Sequence, residues 1–288
     1  MFEKVKKYGL FIFIFLFLFF VIYIFYLNWT SSNTKLTFAV LNVGQGDALF
    51  IESPTGVQIL IDGGPPRKIL SELSRIMPLF DRSIDAIIIT NPDQDHIAGF
   101  LDVLEVYKVG QVFESGTVND SKTFQNLLTE IKNQNIPKLL AKQDMKLHLG
   151  GDAVLEILFP DRDVSTWTPN DGSVVVKLTY GQSSIMLMGD STIKTEQIVL
   201  SQNEPGALQS TILKVGHHGS RTSTSDLFVQ AVLPKYAVIS NGKSNKYGHP
   251  HQEVLDTLER FGVEILRTDI LGTIVFFCDR INSCEIKK

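Results

Sequence analysis

Residues 86–99 read AIIITNPDQDHIAG. A short buried strand, Ala86 to Thr90, runs into a loop rich in carboxylates, and helical period resumes in HIAGFLDVLEVY from His96. In an extended loop Asp93 and Asp95 point the same way, while His96 points elsewhere. Carboxylates packed this closely repel one another unless a cation lies between them, and His96 adds an imidazole donor. The plain alternative is a solvated acidic turn in which Asp95 caps the following helix.

Outward from this stretch the chain alternates strand and helix signals. KLTFAVLNV, ALFIES and VQILID read as three strands of a meander punctuated by GQGD and PTG. Arg67 to Met77 reads as an amphipathic helix closed by Pro78, and Ser121 to Asn135 as another. SVVVKLTY and SSIMLMG form a hairpin through Gly181 and Gln182. The strands STILKVG, YAVIS, VEILR and TIVFFC follow, with helices between them. Strand groups with helices on their outer faces predict an α/β fold of two packed sheets, an αββα sandwich.

Three further loops at strand ends carry chemistry-bearing side chains. Met188-Gly189-Asp190 throws a carboxylate from the end of a strand. Lys214 to Ser220, KVGHHGS, places His217 and His218 side by side, a pair that core packing does not need. Asn245 to His251, NKYGHPH, precedes a helix and brings His249 and His251; a capping turn would explain it equally well. His148 falls within a strand pattern and reads as a half-buried surface residue.

The N-terminus is of a different kind. Residues 9–27, GLFIFIFLFLFFVIYIFYL, carry no charge. Nineteen residues at about 1.5 Å each give roughly 28 Å, against a hydrocarbon core of about 30 Å. The run ends in Tyr26, Leu27, Asn28 and Trp29, an aromatic belt rather than the small residues of a cleavage site. Lys4, Lys6 and Lys7 before it predict a cytoplasmic tail, 1–8, then a transmembrane signal anchor, 9–29, a linker, 30–34, and an extracytoplasmic domain, 35–288. Cys278 and Cys284 flank DRINS at a spacing that suits a bridge across a C-terminal hairpin, although two free thiols remain open. The chain carries 27 basic and 31 acidic residues; without Glu3, Lys4, Lys6 and Lys7 the exterior part keeps 24 against 30. Such a field excludes a protein that coats nucleic acid, so any polyanion must meet a local basic patch.

Taken in order, LNVGQGDALFIESPTGVQILIDGG, TNPDQDHIAG, NDGSVVVKLTYG, MLMGD, LKVGHHGSRTSTS and NKYGHPHQEV resemble the metallo-β-lactamase domain of ComEC-type competence proteins, from about Lys35 to Gly272. The resemblance implies Asp93, Asp95, His96, Asp190 and one or both of His217 and His218 as metal ligands, with Asp190 bridging. It also implies that Asp62 steadies the metal loop, and that Asn170 stands where related enzymes place a histidine. His249 would line the pocket mouth, with Asp93, Asp95, His218 and His249 as the catalytic groups. One departure is specific to this chain: the family's loop begins with histidine where Asn91 stands. An amide is a poorer ligand, so the first metal position is oxygen-rich and weak, and the centre holds one or two divalent ions, Zn²⁺ or Mn²⁺.

The implied activity is metal-assisted hydrolysis of a phosphodiester or nucleic-acid substrate, with Arg221, Lys243 and Lys246 as local cations. A cell-wall substrate such as teichoic acid, or a non-catalytic binding module, are the alternatives. The anchor is the single membrane segment in the sequence, so a channel would be a separate partner.

Overall fold

The computed structural model describes residues 8, 11–24 and 35–287. Residues 11–24 are a helix, α1, whose side chains are all exposed. The ends of the expected anchor, 9–10 and 25–29, and the linker, 30–34, lie outside the described residues. Among the described residues no helix is long and apolar enough to cross a membrane.

From Leu36 onward the chain runs β1 (Leu36–Val40), β2 (Leu49–Glu52), β3 (Gln58–Ile61), α2 (Ile69–Ile76), β4 (Ser83–Ile89), α3 (Gln94–Val106), β5 (Lys108–Glu114), α4 (Lys122–Asn133) and β6 (Lys138–Leu140). It continues through β7 (Lys146–Gly150), β8 (Ala153–Phe159), β9 (Val175–Tyr180), β10 (Ser183–Leu187), α5 (Ile193–Gln202), β11 (Ile212–Lys214), α6 (Asp226–Val232) and β12 (Tyr236–Ile239). It closes with α7 (Gln252–Arg260), β13 (Glu264–Arg267), α8 (Thr268–Leu271), β14 (Ile274–Cys278) and β15 (Glu285–Ile286). One sheet has the order β15-β14-β1-β2-β3-β4-β5-β6 and the other β13-β12-β11-β10-β9-β8-β7.

Period-two alternation divides the apolar residues among three layers. Phe38, Ile51, Ile88, Ile157, Val176 and Val238 meet between the sheets. Their sequence neighbours Ala39, Phe50, Ile87 and Ile89 face the other way, onto α2, α3 and α4. Met186, Leu213 and Ala237 do the same for the second sheet against α5, α6 and α7. Each large side chain so buried contributes about 1.5–3 kcal/mol, and a charge at Ile88 would leave an unpaired ion between the sheets. The αββα expectation is met.

Three local expectations change. Helix α3 starts at Gln94 with Asp93 as its N-cap, so Asp95 and His96 sit inside the first turn rather than before it. The short elements α8 and β15 were not expected; four and two residues are too few for a periodic signal. His148 is exposed rather than half-buried. Cys278 and Cys284, left open by the sequence, are joined in a disulfide.

Candidate metal centre

Strands β3, β4, β10, β11 and β12 all deliver their C-terminal ends to one rim, where the loops singled out in the sequence converge. Asp62 follows β3 in a left-handed conformation, φ 59°. Its carboxylate accepts from the Thr90 N–H at 2.8 Å and the Thr90 hydroxyl at 2.6 Å, tying the ends of β3 and β4 together. The same group accepts from His96 Nδ1 at 2.7 Å. That bond fixes the tautomer and turns Nε2 outward as a lone-pair donor. Helix α3 packs directly on this loop: a Cβ on Gly99 would overlap the Gly63 carbonyl, so the close approach requires glycine.

The second sheet supplies the opposing donors. Asp190 leaves the rim just after β10, with its N–H given to the Ser173 hydroxyl at 3.0 Å. Gly216 to Gly219 form a single 3₁₀ turn in which His217 and His218 are both left-handed, φ 47° and 54°. Two consecutive non-glycine residues there cost about 1–3 kcal/mol each, strain of the kind concentrated at functional sites. His218 gives its Nδ1–H to the Ser240 carbonyl at 2.9 Å, which aims Nε2 at the rim.

The result is a set of donors facing one point. His96 Nε2 lies 3.1 Å from Asp190 Oδ2, His218 Nε2 3.4 Å from Asp95 Oδ2, and His218 Nε2 3.5 Å from Asp190 Oδ1. Donors held about 2.0–2.2 Å from a tetrahedral ion stand roughly 3.3–3.6 Å apart. Asp95, His96 and His218 form a cluster tight enough for an ion, with Asp190 turning one oxygen to each imidazole. His96 Nε2, His218 Nε2 and Asp190 Oδ1 are all buried without a hydrogen-bond partner, a cost that an ion would remove. Burial would raise the Asp190 pKa, yet His218 and His96 hold it well below the usual carboxylate range. Burial would likewise lower His218, but Asp190 and Asp47 push it up to about 10. Without metal, therefore, protons on the imidazoles supply the positive charge that an ion would bring.

Around the other side of Asp190 the donors are sparse. Asn91 is fully buried, and its Oδ1 accepts the Asp93 N–H at 2.8 Å. The atom left over is Nδ2, buried and unpaired, and exchanging the two would set donor against donor. The expected oxygen ligand is thus corrected: Asn91 presents N–H, which does not bind a cation. Asp93 accepts from Asn119 Nδ2 at 2.9 Å, and burial raises its pKa. His217 Nε2 lies 3.4 Å from Asn170 Nδ2 and 3.9 Å from Asp190 Oδ2, and burial, helped by His218 and His96, lowers its pKa although Asp190 opposes this. Among the described residues, the Asp and His clusters tight enough for an ion draw on Asp47, Asp62, Asp95, His96, Asp190 and His218, and none includes Asp93 or His217.

These residues open on a cavity of about 160 Å³ walled also by Gln45, Tyr247 and His249. His249 is held neutral, at about 4, by burial and by His218 and His217 beside it. The expected cations are not in this wall. Arg221 turns to Glu253 at 3.6 Å, and Lys243 is exposed. Lys246 lies over the Tyr247 ring at 5.0 Å, on the rim. His251 accepts from the Arg221 N–H at 3.1 Å, a turn contact rather than a site role.

Two participants escaped the sequence reading. Lys214 and Asp47, both fully buried, pair at 2.6 Å, and Lys214 also donates to the Val215 carbonyl. Asp47 Oδ1 stands 3.3 Å from His218 Nδ1, behind the ligand. Burial would raise Asp47, but Lys214 and His218 bring it to about 2. GQGD reads as a turn and LKV as a strand; a charged residue amid an otherwise apolar strand was the available signal.

Comparison with known proteins agrees with this geometry. Residues 41–243 match the family profile described as Metallo-beta-lactamase superfamily. The chain is 33% identical over 255 residues to ComE operon protein 3 of Bacillus subtilis, covering 82% of this chain and 32% of that protein. It is 30% identical over 248 residues to Recombination protein 2 of Haemophilus influenzae, covering 84% and 29%. It thus spans about a third of the length of these relatives. Among solved structures, the metallo-beta-lactamase fold protein YhfI from Bacillus subtilis superposes with a TM-score of 0.54 at 15% identity, covering 81% of this chain and 96% of that one. CmlA, a diiron beta-hydroxylase from Streptomyces venezuelae, superposes at 0.52 with 13% identity over 81% and 52%. One fold hosting such different chemistry leaves substrate to the site itself. The chain belongs to the metallo-beta-lactamase superfamily, and its relatives include the corresponding domains of competence proteins.

Proposed function

We propose that this chain is a membrane-anchored, extracytoplasmic hydrolase of phosphodiesters, acting on nucleic acid with one tightly held Zn²⁺ or Mn²⁺. The observation that carries the reading is the convergence of Asp95, His96 and His218, with Asp190 turned to both imidazoles, beside an open cavity. A divalent ion held there would supply Lewis acidity to a phosphoryl oxygen and to the attacking water. The chain's own groups do the rest. Asp62 and the Ser240 carbonyl orient the imidazoles through their Nδ1–H groups. Asp93, raised by burial and facing the cavity, is the group suited to hold or release a proton near the reacting phosphate. Neutral His249 offers a second such nitrogen, and Tyr247 a flat face for a base.

The relatives named as competence and recombination proteins support a nucleic-acid substrate. The disulfide supports an oxidising compartment, and the apolar run at 9–29 supports anchoring. A separate multi-span channel would be the partner in uptake. The test is turnover by the purified protein of bis-p-nitrophenyl phosphate, single-stranded DNA and teichoic acid, each with Zn²⁺ or Mn²⁺. Teichoic acid cleavage alone would move the substrate to the cell wall. Stoichiometric metal without turnover of any phosphodiester would leave a binding module.

A further inference from the structure

Strand directions define two opposite rims. Strands β1, β3, β4 and β5 run toward the metal centre, so Lys35, the segment before β4 and the turn after β14 lie together at the far rim. Phe80, Ile281 and Leu79 are the most exposed large apolar residues among those described from Lys35 on, at 91%, 80% and 73%, and all belong to that rim. Leu79 and Phe80 precede β4 and are held by Asp81, whose carboxylate accepts from Gln58 Nε2 and the Ser83 N–H. Ile281 projects from the turn closed by Cys278 and Cys284, its N–H given to Asp279. The exposed cations Lys35, Arg82, Lys108 and Arg280 share this rim with Asp81, Asp85, Asp152 and Asp279. Arg280 pairs with Asp152, while the Arg82 guanidinium lies 5.7 Å from the Tyr107 ring centroid.

Among the described residues nothing covers these side chains, and exposed apolar groups with lysine and arginine beside them suit an interfacial surface. The chain also enters the domain at this rim. Residue 35 follows the last described residue of the apolar helix, 24, by eleven positions, a reach of roughly 40 Å at most. We propose that this rim rests on the lipid surface, with Phe80, Leu79 and Ile281 entering the headgroup region. The proposal rests on the anchored reading above. It sets the metal centre at the opposite rim, away from the lipid by about the length of β4, roughly 23 Å.

The experiment uses the full chain in phosphatidylcholine–phosphatidylglycerol vesicles, with and without bromine on the acyl chains. Tryptophan is placed by Phe80→Trp, by Ile281→Trp and, on the metal-centre rim, by Ile270→Trp, also exposed. The parent's own tryptophan signal is subtracted. Bromine should quench the first two at least about twofold more than the third, as expected for side chains seated in an interface. Vesicle flotation of the same samples reads anchoring separately. Flotation with equal quenching at all three positions would overturn the docked rim and leave the anchor standing. Failure to float would overturn both. A blue-shifted, unquenched Trp at position 80 with a concentration-dependent dimer would assign the rim to a second copy of the chain.

Discussion

On one side of Asp190, every imidazole has its second nitrogen held: His96 by Asp62, His218 by the Ser240 carbonyl with Asp47 close behind. On the other side, Asn91 spends its oxygen on the Asp93 backbone, and Asn119 takes an oxygen of Asp93. Donor number alone does not separate the two sides. His217 on that side also has its Nδ1 held, by the Thr222 hydroxyl at 3.1 Å, so what separates the sides is that Asn91 and Asp93 each spend an oxygen on a protein partner. Metal affinity depends on that second layer as well as on the ligands themselves.

The widest test of this contrast is Asp190→Ala, since Asp190 contacts both sides. Purified variant should lose nearly all bound metal, read by elemental analysis. Metal content equal to the parent would remove the whole assignment. A change of pH comes next. In the ion-free domain His218 keeps its proton up to about pH 10; burial opposes this, but Asp190 and Asp47 outweigh it. His96 is also raised well above the usual imidazole range, by Asp190 and Asp62 against burial. An incoming ion must displace both protons at neutral pH, so affinity should rise with pH, by up to about 100-fold per unit for two protons, and fall as pH drops. His217, shifted the other way, adds nothing near neutrality. Calorimetry in buffers of different ionisation enthalpy counts the protons released, and a count of zero would break the contrast.

Asp62→Asn removes only a supporting carboxylate. It should weaken metal binding about 10–100-fold, whereas Asn119→Ala, the support on the sparse side, should change it less than about threefold. Competition titration with a chromophoric chelator measures both, and equal losses would mean that the two sides are alike. The smallest expected effect is Asn91→His. Histidine Nδ1 can accept the Asp93 N–H as the amide does now, freeing Nε2 as a donor where Asn91 presents Nδ2. Zn²⁺ per chain should then rise from near one toward two. An unchanged count would show that position 91 does not face an ion.

The sequence made the site's ligands visible and left most of their support hidden. Asp93, Asp95, His96, Asp190, His217 and His218 stand in short polar loops after apolar runs, where strand ends deliver function, and all six reach one rim. Asp62 was found through the resemblance. Asp47 and Lys214 pair across 167 residues, and no local period links them. The direction of the Asn91 amide was equally hidden, because it depends on a hydrogen bond two residues away rather than on residue type. Similarly, Arg221 and Lys243 looked available in sequence because their distance from the cavity wall is a tertiary property.

Strand β14 pairs with β1 across more than 230 residues of chain, Leu36 opposite Cys278. The first sheet therefore stays open until β14 has been made. His218 arrives late as well, long after Asp95 and His96. If the domain is exported as proposed, it cannot close this fold partway and would cross as an unfolded thread. Such long-range pairing is slow to form, and the unpaired β1 edge is a hazard in the interval. The ion would then be chosen in the compartment where folding finishes, from whatever metals that compartment holds. Supply, as much as ligand chemistry, would decide which metal the protein carries.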